Sequence, residues 1–312
     1  MSSAGCRAGT SCRERELLSL RAMNVAFVLR RIDAYERLVR LDKPIGILLL
    51  LWPTLWAVWI AARGWPPPGF VLIFVLGTVL MRSAGCAIND FADRKFDPHV
   101  ERTKDRPLAA GEITPAEALA VGVFFALLAF CLVLFLNRFA IALSFVALAI
   151  AWSYPFAKRV FALPQAYLGI AFGFGIPMAF AAIQARLPWE CWALLAANVF
   201  YAMGYDTEYA MVDRDDDRKL GIRTSALTLG RWDVATVLGC YGMTLVILAA
   251  IGYNLRYPWP YYAGLAVAAV LIVHHWRLIR GRRREDCFRA FRYSHWIGAA
   301  VFAGIAAPVF LR

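Results

Sequence analysis

Residues 45–62 read IGILLLLWPTLWAVWIAA, a stretch that contains no charged side chain. A helix needs about 20 predominantly apolar residues to cross the hydrocarbon core of a bilayer. Further apolar runs of comparable length lie on the C-terminal side of this stretch, at 70–88, 117–136, 139–157, 160–183, 189–205, 234–253, 259–276 and 293–311. The sequence therefore predicts an all-α integral membrane protein with nine transmembrane helices.

The composition supports an apolar environment for the whole chain. Of its 312 residues, 61% are hydrophobic and 18% are charged, whereas soluble domains have about 45–50% apolar and about 25% charged residues. The net charge of +12 is spread between the apolar runs, which favours membrane lipid over nucleic acid as the partner. The seven cysteines include no CxxC pair, which argues against a zinc site or a disulfide framework.

The basic residues predict an orientation. With a cytoplasmic N-terminus, the inner loops carry 28 Lys and Arg residues and the outer loops carry 5, so the positive-inside rule places the C-terminus in the periplasm. Residues 1–30 are predicted to be a disordered tail before a single transmembrane domain, 31–312. This tail lacks the apolar core of a secretory signal, and Glu14 and Glu16 argue against a mitochondrial presequence. We therefore expect a multi-pass protein of a bacterial inner membrane.

A first acidic motif, NDFADRKFD, follows the second apolar run at 89–97. Asp90, Asp93 and Asp97 are spaced i, i+3, i+7, which would place their carboxylates on one helix face. Such carboxylates repel one another unless a cation lies between them. Mg²⁺ suits this arrangement, because it binds one or two carboxylates together with substrate phosphates. The alternative interpretation is a solvated acidic loop.

A second acidic motif, DTEYAMVDRDDD, occupies 206–217, directly after the sixth run. Asp206, Asp213 and Asp217 are spaced i, i+7, i+11 and would also share a helix face. The predicted topology places both motifs at the cytoplasmic surface. Two facing carboxylate sets would hold two Mg²⁺ ions around one diphosphate and neutralise the charge that develops as it leaves.

Several basic residues are candidates for binding the diphosphate or a carboxylate. Guanidinium groups match phosphate and carboxylate oxygens in a bidentate manner, although the positive-inside rule alone also accounts for basic loops. Arg82 lies within an apolar run, so it either meets an acidic substrate group or extends to the interface. The candidates are Arg82, Arg94, Lys95, Lys104, Arg106, Lys158 and Arg159.

Tyr154 and Lys158 are one helical turn apart at the end of the fourth run. The tyrosine ring would shield a carbocation and the lysine would meet a phosphate. The alternative is an interfacial anchor. The four histidines have no metal-ligand spacing and are interpreted as structural.

These motifs resemble the UbiA superfamily of membrane prenyltransferases. The segments LDKPIG at 41–46, LWPTLWA at 51–57 and YDT at 205–207 are similar to the branch that prenylates 4-hydroxybenzoate. The resemblance implies helices around a central cavity, a lateral opening for the isoprenoid, and Mg²⁺–diphosphate roles for Asp90, Asp93, Asp97, Asp213 and Asp217. The predicted metal ligands are these five aspartates and Asp206. The predicted catalytic residues are Asn89, Asp90, Asp93, Arg94, Tyr154 and Asp213. Glu208 departs from the family pattern, in which Gln is expected.

The expected activity is the transfer of a polyprenyl group from polyprenyl diphosphate to the 3-position of 4-hydroxybenzoate in ubiquinone biosynthesis. Within the same family, haem or a naphthoate is an alternative acceptor. From another class, a cation-coupled transporter would carry its carboxylates near the bilayer midplane. The clustering of the carboxylates at one surface disfavours the transporter. The sequence leaves the oligomeric state and the isoprenoid length open.

Overall fold

A computed structural model describes residues 26–101, 103–160, 164–220 and 224–310, and in these ranges the chain is helical without any strand. The helix α1 covers 26–39, so it begins before the predicted end of the tail at residue 30. The remaining helices are α2 (Ile45–Ala62), α3 (Pro68–Asp93), α4 (Pro115–Val133), α5 (Arg138–Val160), α6 (Pro164–Gly173), α7 (Gly175–Gln184), α8 (Trp189–Val212), α9 (Arg214–Leu220), α10 (Ser225–Leu229), α11 (Asp233–Asn254), α12 (Trp259–Ile279) and α13 (Arg284–Phe310).

Proline and capping residues define where several helices begin. Helices α3, α4 and α6 start at a proline, whose fixed φ and missing N–H suit the first helical position. Thr114 caps α4. Its hydroxyl accepts a hydrogen bond from the Glu117 N–H at 3.3 Å, and the Glu117 carboxylate accepts one from the Thr114 N–H at 2.8 Å. This reciprocal pairing satisfies two backbone donors at the helix start.

The fifth predicted run, 160–183, does not form one continuous helix. The structure divides it into α6 and α7 on either side of Phe174. Pro177 explains the interruption, because its ring clashes with the carbonyl of Gly173, four residues earlier, and it provides no N–H for that carbonyl. The two short helices together retain the length of one membrane crossing.

Within the described ranges, six helical segments are long and apolar enough to cross a membrane. Large apolar side chains are also exposed on the outside of the bundle, including Phe135, Val246 and Val270. A soluble protein would not display so much apolar surface. The chain therefore forms a multi-pass helical membrane protein.

The interior is built from helices that approach closely through buried aromatic residues. The Trp56 indole donates to the Gly298 carbonyl at 3.0 Å, which connects α2 to α13. The Tyr201 hydroxyl donates to the Ser294 carbonyl at 2.8 Å, which connects α8 to α13. The second bond fixes α8, whose end carries one of the acidic motifs. We call the end of the bundle at which α3 and α8 terminate the aspartate end.

Candidate active site

The first acidic motif spans the end of α3 and the turn that follows. The helix stops at Asp93, and Asp97 begins a short 3-10 turn, Asp97–His99. The prediction that Asp90, Asp93 and Asp97 lie on one continuous helix is therefore wrong. Pro98 disfavours the α conformation of Asp97, so the helix ends before it. Arg106 contacts both Asp90 and Asp97 and so connects the two carboxylates across the end of the helix.

Asp90 is the most enclosed carboxylate of this motif, with 1% of its surface exposed. Its Oδ1 atom accepts from Arg40 Nη2 at 2.5 Å and from Arg106 Nη1 at 3.0 Å. Its Oδ2 atom is buried and has no hydrogen-bond partner among the described residues. A buried carboxylate oxygen without a partner is costly, and this one is available to a bound cation.

Asp97 shares Arg106 with Asp90. The same Arg106 Nη1 atom donates to Asp97 Oδ2 at 2.8 Å. Burial raises the pKa of Asp97 above its ordinary value, and the charges of Asp90 and Asp93 raise it further, while Arg106 acts in the opposite direction. The pKa of Asp97 therefore rises mainly because its side chain is buried. A divalent cation beside these carboxylates would favour their charged form.

The second acidic motif is also interrupted. Helix α8 ends at Val212, Asp213 has a non-helical ψ of 5°, and Asp217 lies in the separate helix α9. The prediction of one continuous helical face from Asp206 to Asp217 is therefore wrong. The Asp217 N–H nevertheless donates to the Asp213 carbonyl at 2.9 Å. Both side chains remain buried, with 7% and 8% of their surfaces exposed.

Described arginines also lie near this second motif. Arg284 Nη2 lies 3.3 Å from Asp216 and 3.9 Å from Asp213. Arg214, inside the motif, turns away from it and pairs with the fully buried Asp233 at the start of α11. Arg282 donates to the same Asp233 at 2.7 Å. This cluster braces the loop that carries the motif.

Tyr154 lies where the two motifs approach each other. Its hydroxyl is within electrostatic range of Asp93 from the first motif, Asp206 from the second, and Arg82. Tyr205 on α8 is close to the charges of Asp206 and Arg82 as well. Helices α3, α5 and α8 therefore bring together residues that are far apart in the sequence, as the predicted site requires.

Arg82 lies deeper in the bundle, on the same face of α3 as Asn89 and Asp93. The positions are related by i, i+7 and i+11, and about 10 Å of helix rise separates Arg82 from Asn89. Its guanidinium lies 5.6 Å from the centroid of the Phe172 ring. A Cβ atom at Gly46 would come within 2.5 Å of Arg82 Nε, so the glycine of the LDKPIG segment provides the space for this guanidinium.

The other predicted basic residues differ in their surroundings. Arg94 donates to the Phe91 carbonyl at 2.7 Å, Lys104 pairs with Glu101 at 2.8 Å, and Lys95 is exposed.

The side chains of Lys158 and Arg159 lie outside the described residues. Arg106 alone among the predicted loop cations is shown in direct contact with motif carboxylates. Arg40, which sequence reasoning did not select, makes the same kind of contact.

The described residues contain no group of three or more His, Cys, Asp or Glu side chains that could hold a metal ion. Mg²⁺ usually takes only one or two carboxylates and completes its shell with water and substrate phosphates. The unpaired Asp90 Oδ2 atom is a ready oxygen ligand. The donor set is therefore compatible with Mg²⁺.

An apolar helical bundle that brings carboxylates of two acidic motifs near one tyrosine, Tyr154, has the features of a membrane enzyme with a carboxylate-lined site. The model of the UbiA prenyltransferase family matches residues 50–302, which is most of the chain. The chain belongs to this family.

Relatives and solved structures agree with this assignment. The chain is 58% identical to a 4-hydroxybenzoate octaprenyltransferase of Methylobacillus flagellatus and 61% identical to one of Dechloromonas aromatica. Each alignment covers 91% of this chain and 96% of the relative. Among solved structures, a UbiA homolog from Aeropyrum pernix has a TM-score of 0.73 and 26% identity over 84% of this chain and 97% of its own. A UbiA homolog from Archaeoglobus fulgidus bound to GPP and Mg²⁺ has a TM-score of 0.63 at 18% identity, covering 87% of this chain and 99% of its own, and shares the fold.

Proposed function

We propose that this chain is a 4-hydroxybenzoate polyprenyltransferase, which transfers a polyprenyl group to the 3-position of 4-hydroxybenzoate and releases diphosphate, a step of ubiquinone biosynthesis. The observation that carries this proposal is the identity of 58–61% to relatives with the name 4-hydroxybenzoate octaprenyltransferase over 91% of the chain. The grouping of both acidic motifs around Tyr154 and Arg82 gives the proposal a site.

The acidic motifs would hold the metal and the diphosphate. We assign Mg²⁺ to Asp90, Asp93 and Asp97 on one side and to Asp206, Asp213 and Asp217 on the other. When bound, the metal neutralises the negative charge on the departing diphosphate. Asp90 contributes its unpaired Oδ2 atom while Arg40 and Arg106 hold the other oxygen. The arginines thereby orient this carboxylate before the substrate arrives.

The aromatic acceptor would lie on the inner side of the diphosphate. Arg82 is a half-buried cation in an otherwise apolar region, and its planar guanidinium matches the carboxylate of 4-hydroxybenzoate. Tyr154 is within range of the charges of Arg82, Asp93 and Asp206. Its ring would shield an electron-poor allylic group. Asn89 shares the α3 face of Arg82 and Asp93 and completes the polar lining.

The chemistry is an electrophilic aromatic substitution. The bond between the allylic carbon and the diphosphate oxygen breaks, and the electron pair leaves with the diphosphate. The ring carbon ortho to the phenolic hydroxyl attacks the allylic cation, and the ring proton passes to a carboxylate or to the departing diphosphate. The apolar bundle excludes the water that would otherwise capture the cation.

The topology forms part of the proposal. We propose nine membrane crossings around a central cavity, with the aspartate end in the cytoplasm of a bacterium and the chain in its inner membrane. The distribution of 28 inner and 5 outer basic residues supports this orientation. A lateral opening between helices would admit the isoprenoid from the lipid phase.

Isolated membranes that contain this protein test the proposal. They are incubated with a polyprenyl diphosphate and 4-hydroxybenzoate, with and without EDTA, and 3-polyprenyl-4-hydroxybenzoate is measured by mass spectrometry. We expect product that disappears with EDTA and returns with added Mg²⁺. Prenylation of haem or a naphthoate instead would show that 4-hydroxybenzoate is not the acceptor. If no acceptor gives a product, the alternative of a cation-coupled transporter would be favoured.

A further inference from the structure

A hydrogen-bonded carboxyl–imidazole pair is enclosed in the bundle behind the second acidic motif. The side chains of Glu208 on α8 and His275 on α12 are 0% and 1% exposed, and Tyr241 on α11 is fully buried beside them. Glu208 Oε1 lies 2.8 Å from His275 Nδ1, and the Tyr241 hydroxyl donates to Glu208 Oε2 at 3.2 Å. One carboxylate thus joins three helices.

The contacts hold the carboxylate strongly in place. An isolated carboxylate in an apolar interior costs several kcal/mol, and a partner recovers this cost only in a favourable geometry. Here both oxygens are paired. The His275 Nε2 atom has no partner in the described part of the chain, so the contact of Nδ1 with Glu208 is the polar contact that the ring makes there. Any rotation of α8 would separate Glu208 from both partners.

The pair lies on the side of α8 that faces away from the acidic motif. Positions 206 and 208 are about 200° apart around a helix. Glu208 therefore anchors the back of α8, and Asp206 occupies its front. Gly204 permits close packing at this anchor, because a Cβ atom there would lie 2.6 Å from the Tyr241 ring.

An aromatic contact connects the anchor with the site. The Tyr241 and Tyr201 ring centroids are 6.2 Å apart, and Tyr201 packs edge-to-face against Tyr205 at 5.1 Å. Tyr205 precedes Asp206 and is within range of its charge and of that of Arg82. A change in the rotation of α8 would thus reach Asp206 through both the backbone and the packed rings.

We propose that Glu208, His275 and Tyr241 are positioning residues that set the rotation of α8 and thereby the distance between the two acidic motifs. This inference rests on the proposed function, because it assumes that the motifs hold Mg²⁺ and diphosphate together. Loss of the anchor impairs the binding of Mg²⁺ with diphosphate. It leaves the binding of 4-hydroxybenzoate, which depends on Arg82 of α3, largely unchanged.

Two readouts on the full-length protein in detergent test the inference. The first is the rise in thermal midpoint produced by Mg²⁺ with inorganic diphosphate, and the second is the Mg²⁺ concentration that gives half-maximal turnover. For Glu208→Ala we expect the first to be at least halved and the second to rise about tenfold, with KM for 4-hydroxybenzoate within twofold of wild type. Glu208→Gln keeps the shape and both hydrogen bonds, so it should restore both readouts to within about twofold.

Thr244→Val is the matched control. Thr244 is a buried residue that also connects α11 to α8, since its hydroxyl donates to the Ala197 carbonyl at 3.2 Å, but it contacts α8 eleven residues before Glu208. It should lower the thermal midpoint without changing the Mg²⁺ requirement. If Glu208→Ala does not fold, Tyr241→Phe removes only one hydrogen bond, and a rise of about threefold in the Mg²⁺ requirement is expected.

The outcomes separate the two proposals. The positioning role alone would be overturned if Mg²⁺ with diphosphate stabilises Glu208→Ala as much as it stabilises the wild type. Where the alanine variant does not fold, the same result in Tyr241→Phe would overturn it. An equal change in Thr244→Val would also overturn it, because the effect would then follow from general destabilisation. A wild type that neither binds Mg²⁺ with diphosphate nor turns over would overturn the proposed function together with this inference.

Discussion

The two acidic motifs are held in different ways. In the first motif, Arg40 and Arg106 contact the carboxylates directly, at 2.5 and 3.0 Å from Asp90. In the second motif, Arg284 lies 3.3 Å from Asp216 and 3.9 Å from Asp213, and the helix is also fixed from behind by Glu208 and His275. The second motif thus has an anchor in the helix packing in addition to arginine contacts at the site, so substitutions at the two sites should act differently.

The largest effect should come from Asp90, the carboxylate with a buried unpaired oxygen. Asp90→Asn retains the size of the side chain but removes the charge that binds a cation. We expect turnover to fall on the order of 10²- to 10³-fold, the range typical of a lost electrostatic contact in a preorganised site. The assay is product formation at saturating Mg²⁺ in protein that elutes as a single species.

Asp215→Asn is the control for Asp90→Asn. Asp215 belongs to the second motif by sequence, but its side chain is 79% exposed. The turnover of Asp215→Asn should remain within about twofold of wild type, because an exposed charge contributes little to the electrostatics of an enclosed site. Equal losses in both variants would mean that net acidity, and not the enclosed carboxylate, determines activity.

Arg106 should have the next largest effect, because it connects Asp90 to Asp97 across the helix end. Arg106→Ala leaves two buried carboxylates without their shared donor, so both stability and the geometry of the metal ligands suffer. We expect a loss of turnover of about 10- to 100-fold, in keeping with the cost of small misplacements in active sites. Arg106→Lys should recover only part of it, because an ammonium lacks the rigid fork of a guanidinium.

Lys104→Ala provides the contrast for Arg106→Ala. Lys104 lies two residues away in the same loop, but it is exposed and pairs with Glu101. Its removal should change turnover by less than about twofold. A comparable loss in both variants would indicate that the total positive charge of the loop matters more than the bridge between Asp90 and Asp97.

Gly46 tests the acceptor side of the site. A methyl group at this position would meet Arg82 Nε at 2.5 Å, so Gly46→Ala should displace the guanidinium. Loss of one charge-assisted hydrogen bond is worth about 1.5–3 kcal/mol, so KM for 4-hydroxybenzoate should rise about tenfold or more. KM for the polyprenyl diphosphate should stay within twofold. Gly85→Ala on α3 is the control, because its Cβ would meet no atom within 4 Å.

The sequence predicted the apolar runs and the residues of both motifs, because hydrophobic content and short-range spacing are local properties. It failed where local rules conflicted. The spacing of Asp90, Asp93 and Asp97 suggested a continuous helix, but Pro98 ends the helix early. It also missed contacts between distant positions. Arg40 and Asp90 are 50 residues apart, and Glu208 and His275 are 67 apart.

Nothing in the sequence distinguishes a buried histidine that pairs with a carboxylate from one that only fills space. No sequence pattern indicated that His275 has a carboxylate partner. Glu208 was noted only as a departure from the family pattern. The helix points it away from Asp206, toward α11 and α12. Only the three-dimensional packing reveals that direction.

The smallest effect should come from Arg284, the second motif's counterpart of Arg106. Its side chain is 49% exposed, and its separations from Asp216 and Asp213 are 3.3 and 3.9 Å, a geometry in which an ion pair contributes between zero and about 1 kcal/mol. Arg284→Ala should therefore lower turnover by no more than about threefold in the assay used for Arg106→Ala. A loss as large as that of Arg106→Ala would show that both motifs depend on direct arginine contacts, and the helix anchor behind the second motif would no longer be needed to explain how its carboxylates are held.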